Sequence, residues 1–413
     1  MFLVFYLEIL VENYTNAAAS AALTAVILLQ AHAAPAEPQV SVIFDFRAAS
    51  YSQDPEDYQL PGFQLGGEAG LPDQGGSLGH TELAISGEIG NYLDGKFTGV
   101  MHQHHGEMEI DLEELWLQTV GLGSGLTFKG GRFFSEIGYL NNRHPHAWDF
   151  VDEPLAYRAM LGMQYRDDGF QVSWIAPTDV FWRIGGEVFR GDQYPFARED
   201  DETTNSWALF TDFGGDIDER QSWQIGLSHM RGDSYLRESG HAHDDDHHEG
   251  EEEHTPAFSG DTELTVADFV YKWAPHGNYK NRSFVLQLEY FDQKENGGIS
   301  MLHDGEVEEY TSYTGDQSGA YIQGVFRFHP HWKAGLRYDR LFSDNKGDDE
   351  ILEEAGLAST HDPSRTSGMI AWVPREYATI RLQYNRDKSR PATDHQWFLQ
   401  FVYGFGPHGA HQF

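Results

Sequence analysis

The chain has 413 residues, no cysteine and a formal charge of −37, from 65 acidic against 28 basic side chains. The missing thiols exclude a disulfide framework, a thiolate metal site and a cysteine nucleophile. The acidity argues against nucleic acid as a partner and makes cations the natural ligands.

In chain order, the first signal is an apolar run, Ala17–Gln30, followed by Ala31-His-Ala33. This reads as an export segment over residues 1–33, cleaved near Ala33. No Lys or Arg precedes Arg47, and a second apolar stretch, Phe2–Val11, comes earlier still. A misassigned start would account for both features. Residues 34–413 are the expected folded unit. Beyond the export segment, no stretch is long and apolar enough to span a bilayer as a helix.

After Gln39 the side chains alternate with period two. Phe284, Leu286, Leu288 and Tyr290 point one way, and Gln287 and Glu289 the other. Ile380, Leu382 and Tyr384 oppose Arg381, Gln383 and Asn385 in the same manner. Trp397, Leu399, Phe401, Tyr403 and Phe405 line one face of the last segment, against Gln396 and Gln400. Comparable segments begin near Val40, Glu82, Lys96, Ile110, Leu126, Leu155, Phe170, Phe181, Ser206, Gln221, Glu263, Ala320 and Lys333. Aromatics gather at segment ends, as at Trp273, Trp332, Trp372 and Tyr403. Short turns alternate with long polar loops, expected over 51–79, 134–154, 232–261, 293–317 and 343–366. Together these features predict an all-β fold, a transmembrane antiparallel β-barrel with long extracellular loops.

With the segment that ends at Trp372 the segments number seventeen, whereas a single-chain bacterial barrel should hold an even number. The barrel is therefore expected to have 16 or 18 strands, with the miscount inside residues 51–205. Either the 51–79 loop hides a strand, or the region around Asp167-Asp-Gly169 and Ala176-Pro-Thr-Asp179 is divided wrongly. Loop 134–154 is more apolar than the others and is the best candidate to fold inward and narrow the pore.

The chain ends in an alternating aromatic segment and Gly406-Pro-His-Gly-Ala-His-Gln-Phe413. This resembles the assembly signal of porin-like, Gram-negative outer-membrane β-barrels. The departure is that the last strand can end at Phe405, short of the terminal Phe. The resemblance implies residence in the outer membrane, contact with its lipid, and recognition by the assembly machinery through the last strand. The histidine-rich end and the His/Asp-rich stretch described next resemble zinc-regulated outer-membrane proteins related to TonB-dependent zinc receptors. Those receptors carry a plug domain, and a first strand near Val40 leaves no room for one.

The candidate chemistry lies mainly in His241-Ala-His-Asp-Asp-Asp-His-His-Glu-Gly-Glu-Glu-Glu-His254, with five histidines and seven carboxylates in fourteen residues. Imidazole suits zinc, copper and nickel, so His241, His243, His247, His248 and His254, with Asp244, Asp246 and Glu249, are candidate metal ligands. The other reading is a hydrophilic acidic loop. His102, His104 and His105 form a second candidate group at an outer turn, where His102 and His104 share a face. They can equally be hydrogen-bonded lumen histidines. His144 and His146 flank Pro145, and such a pair fixes no geometry without a third ligand. Arg158, Arg327, Arg337 and Arg381 fall at polar-face positions and are expected to pair with lumen carboxylates.

Catalytic motifs are lacking, and adjacent Ser228 and His229 on one strand should face opposite ways, so no enzyme is expected. The function these features favour is uptake of divalent metal, zinc foremost, without an obligatory cofactor. The alternatives are a general or sugar/anion-selective porin, or a surface metal-binding or adhesion protein with a closed lumen. Oligomeric state is not legible from the sequence.

Overall fold

A computed structural model describes residues 37–104, 107–197, 204–239, 254–275, 277–358 and 361–406. The expected export segment lies outside them. The strands are β1 (Gln39–Ser50), β2 (Gly75–Leu78), β3 (Thr81–Ile89), β4 (Leu93–His104), β5 (Glu107–Thr119) and β6 (Leu126–Phe134). They continue as β7 (Arg166–Ile175), β8 (Phe181–Phe189), β9 (Ser206–Asp218), β10 (Gln221–Glu238), β11 (Thr255–Trp273) and β12 (Ser283–His303). The last are β13 (Glu306–His329), β14 (Trp332–Lys346), β15 (Ser364–Arg375), β16 (Ala378–Lys388) and β17 (Asp394–Phe405). From β3 onward each strand pairs antiparallel with the next. The barrel closes where β17 and β3 both pair with β1. The four-residue β2 only extends the β1 edge, so sixteen of the seventeen strands close the barrel.

The false strand of the sequence reading is the segment from Leu155. It is helix α1 (Leu155–Leu161), with all seven residues buried inside the barrel. Leu155 and Tyr157 do alternate with the small Ala156 and the polar Arg158, which mimics the start of a strand. Yet the segment has no β-branched residue, and Leu, Ala, Met and Arg favour helix. Pro154 precedes its first turn, and Gly162 closes it in the left-handed region at φ 56°. A Cβ on Gly162 would stand 2.4 Å from the Gly66 carbonyl, so glycine also lets the 51–74 segment pack against the helix. The two suspected causes of the miscount were therefore wrong. The hidden β2 exists but adds no barrel strand, and β7 and β8 are correctly divided.

The alternation itself is obeyed. Leu288, Leu382, Leu399 and Phe401 are exposed on the outer face, while Gln287, Glu289, Gln383 and Gln400 are buried within. No helix among the described residues is long and apolar enough to cross a membrane; the crossing elements are strands. Trp332 and Trp372 pair at the short-turn rim, and Tyr384 pairs with Trp397 towards the other. This resembles the aromatic girdles of membrane barrels. Beyond Tyr290 the outward positions of β12 become Asp292, Lys294 and Asn296, so this end stands above the apolar belt.

Several expected loops are shorter than proposed. The 293–317 stretch is not a loop: β12 and β13 continue to a tight turn at Asp304-Gly305. Strands β10 and β11 also extend well into 232–261, and 343–366 holds helix α2 (Asp349–Glu354), capped by Asp348.

Three connections turn inward. Residues 51–74, 135–165 and 190–197 share one apolar core with inward wall residues such as Leu264, Val266, Phe291 and Leu341. Loop 134–154 does fold inward, as its apolar content predicted.

Candidate metal centre

The histidine- and carboxylate-rich place that the described residues assemble is on the inner wall at β3–β5, near the long-loop end. Glu82 points inward from β3, next to His80 in the preceding turn. On β4 the inward positions are Lys96, Thr98, Val100 and His102. On β5 the register against β4 shifts between Thr98 and Gly99, where Glu114 pairs with Thr98 and Leu112 with Gly99. Glu113 is the extra residue of this bulge. Strict alternation would send Glu113 and Glu114 to opposite faces; the bulge buries both.

Onto this wall the inner loop lowers His144 and His146, held by a short 3-10 turn at Pro145–Ala147. The His146 Nδ1 lies 2.6 Å from Glu82 Oε1, and His144 Nδ1 lies 3.4 Å from Glu82 Oε2. The same His144 Nδ1 is 2.9 Å from Glu113 Oε2, and its Nε2 is 2.9 Å from Glu114 Oε2. Lys96 Nζ lies 2.5 Å from that Glu114 oxygen and 3.0 Å from His144 Nε2. His80 is 3.6 Å from Glu113 and 3.5 Å from Glu68, and its ring stacks on His102 with centroids 6.1 Å apart.

Hydrogen bonding here is incomplete. Both carboxylate oxygens of Glu113, both ring nitrogens of His80, and His144 Nδ1 are buried without a hydrogen-bond partner. Buried polar atoms are normally satisfied, so each such atom calls for a cause. Two triads, Glu82/His144/His146 and His80/Glu82/Glu113, bring one ligand atom apiece to within 4.8 Å of one another. They share Glu82. Burial opposes the charged form of His144, but Glu82, Glu113 and Glu114 outweigh it and hold the ring's pKa well above the usual value.

The expected sites fare unequally. His241, His243, His247, His248, Asp244, Asp246 and Glu249 lie outside the described residues, as does His105. His254 is described: its ring nitrogens lie 2.8 Å from Glu354 and 3.2 Å from Glu308. His102 faces the lumen 3.1 Å from Glu109 and forms a third group with Asp111. His104 ends β4. The pair given least weight from sequence, His144 and His146, is the one that the fold brings against a carboxylate, Glu82. Sequence reasoning overlooked His80, Glu82, Glu113 and Glu114. The one available signal for the glutamates was their adjacency in a strand, a hint of a bulge.

The expectation of carboxylate partners holds for two of the four arginines, Arg337 and Arg158. Arg337 lies 2.6 Å from Asp152, Arg158 pairs with Glu153, and Arg381 donates to the Gln400 side chain and the Trp148 carbonyl. Arg158 does so from helix α1 and not from a strand. Arg327 instead donates to the Pro330 carbonyl at 2.8 Å. Ser228 and His229 face opposite ways: the Ser228 hydroxyl accepts from the Gly138 amide inside, and His229 lies beside Trp207 outside.

Solved structures with this architecture are outer-membrane porins and channels. The chain is similar to the outer membrane channel DcaP of Acinetobacter baumannii, with 11% identity and a TM-score of 0.54 over 89% of this chain and 97% of that one. It is likewise similar to an anion-selective porin from Comamonas acidovorans, with 9% identity and a TM-score of 0.52 over 89% and 99%. A loop-deletion mutant of Vibrio cholerae OmpT, an outer membrane protein, gives 9% and 0.52 over 90% and 100%. These likenesses establish the fold. In sequence, the chain is 27% identical over 408 residues to an uncharacterized protein of Aquifex aeolicus, covering 91% of this chain and 80% of that protein. No protein-family profile matches.

Proposed function

We propose that the chain is an outer-membrane channel that takes up divalent metal, zinc foremost. In this reading residues 1–33 direct export, residues 34–413 form the barrel, and the last strand engages the assembly machinery. The carrying observation is the pair of lumen triads that share Glu82, one with His144 and His146 and the other with His80 and Glu113, which offer nitrogen and oxygen donors of the kind zinc accepts. The segment from His241 to His254 supplies a first capture point from solution. Its carboxylates concentrate cations, and its histidines select transition metals over calcium and magnesium. The resemblance of that segment and of the C-terminal end to zinc-regulated outer-membrane proteins supports zinc as the cargo.

A second reading has its own support. The apolar core shared by the three inner segments favours a barrel with a closed lumen that binds metal at the surface. Conductance in a planar bilayer separates the two. The channel reading expects discrete openings whose current changes with micromolar zinc and not with equal calcium. Openings indifferent to zinc would make this a general porin, and no openings at all would favour the closed metal-binding barrel.

A further inference from the structure

Loop 135–165 is tied to two sectors of the wall in different ways. At β14–β16 the ties pair permanent cations with carboxylates, although Arg365 Nε and Nη1 there are also buried without a hydrogen-bond partner. Asp149 meets Lys333 at 2.6 Å, and Asp152 meets Arg337 at 2.6 Å and Arg365 at 3.0 Å. The Val151 amide donates to Gln383, and the Leu155 amide to Asp339. At β3–β5 the tie is the His144/His146 turn against Glu82 and Glu113, where buried atoms lack hydrogen-bond partners.

We infer that one zinc-class ion, held by His144 Nδ1, His146 Nδ1, Glu82 and Glu113, completes this second tie and makes the inner loop a metal-fastened strap.

The inference rests on the metal-uptake reading and names how the ion acts at that site. Glu114 lies on the Nε2 side of His144, away from the proposed ion. Glu114 and Lys96 together hold the Nε2 side of the ring and leave Nδ1 to face Glu82 and Glu113, as neighbouring groups orient a metal-binding imidazole. Glu82, His144 and His146 already bring one ligand atom each to within 4.8 Å of one another, and Glu113, 2.9 Å from His144 Nδ1, would supply the fourth donor of a closed zinc site. Calcium, which takes six or more oxygens, is poorly served by it. Fastening follows from the origin of the donors: the imidazoles belong to the loop and the carboxylates to β3 and β5.

The test uses the full chain in detergent micelles. His241, His243, His247, His248, His254, His408 and His411 are replaced by Asn, so that zinc chloride reports chiefly on the lumen cluster. The chain has no cysteine. Ala147→Cys therefore carries a single spin label beside the turn. Calorimetry should give one zinc per chain, with no comparable calcium binding, and zinc should broaden the label's spectrum. Glu82→Gln should lose both effects, and Glu114→Gln should weaken zinc binding about 10–100-fold. The calcium comparison needs no further variant, so a misfolded Glu82→Gln would not leave the question open. Zinc bound with an unchanged spectrum overturns the strap. No zinc bound in this background overturns the site, while a zinc-sensitive conductance of the native protein would still uphold metal uptake.

Discussion

The two wall sectors that hold the inner loop solve the same problem with opposite chemistry. At β14–β16 buried arginines face buried aspartates: Asp152 takes two guanidiniums as well as the Gln383 and Asn385 amides, and Asp339 lies beside Arg337 and Arg365. At β3–β5 three glutamates converge on imidazoles, with Lys96 the nearby permanent cation. The first sector is charge-matched by residues that never lose their protons near neutrality. The second depends on groups that exchange protons or bind metal. A fixed anchor and a conditional one therefore sit on one loop.

The contrast can be broken most severely at the fixed anchor. Asp152→Ala leaves Arg337 and Arg365 buried and under-compensated, and should cost about 3–5 kcal/mol in a denaturant titration of the folded barrel. A substitution touching neither anchor sets the scale. Leu288→Arg, on the lipid-facing side of β12, should cost about 2–4 kcal/mol if the residue lies near the bilayer midplane. At the conditional anchor, Glu113→Gln removes a buried carboxylate whose oxygens accept no hydrogen bond. Without metal it should cost about 1–3 kcal/mol, less than Asp152→Ala because Glu82 and Glu114 still face His144, yet zinc affinity should fall at least tenfold. Equal losses for Asp152→Ala and Glu113→Gln would erase the distinction between the two ends.

The same contrast explains what the sequence revealed. Alternation read the barrel well, because a strand between lipid and lumen must keep its period along its whole length. Leu382 and Gln383, or Leu399 and Gln400, cannot exchange faces without exposing a polar side chain to lipid. Alternation failed at Leu155–Leu161, where both sides of the segment are enclosed and the period no longer separates two solvents. The histidine–glutamate cluster was legible only in fragments. His144 and His146 are conspicuous in the sequence, but Glu82 and Glu113 are 62 and 31 residues away from His144. The first is joined to the pair by the fold of a loop, and the second is turned inward by a bulge that strict period two cannot express. Conversely, the densest histidine run, from His241, announces its composition, and of it only His254 falls among the described residues.

The mildest prediction separates the anchors by pH alone. Burial alone would raise the Asp152 pKa, but Arg365, Arg337 and Arg158 outweigh it and hold the carboxyl well below its usual range. A depressed carboxylate stabilises above its unfolded pKa of about 3.9 and loses that contribution as pH falls through the lower folded value. The fixed anchor should therefore be constant from mildly acidic to alkaline conditions. His144 has the opposite sign, because its folded pKa is raised. Its ion pairs with Glu82, Glu113 and Glu114 contribute fully below the unfolded value of about 6.5 and are lost as pH rises through the raised value. In metal-free protein labelled at Ala147→Cys, the spectrum should sharpen on the alkaline side as this tie is released. A second label at Asn142→Cys should report whether release spreads along the loop. Zinc should abolish the alkaline change at Ala147→Cys, since a bound ion replaces the proton as the positive charge between the glutamates. An alkaline change of equal size with and without saturating zinc would mean that the ion sits elsewhere and that protonation alone governs the turn.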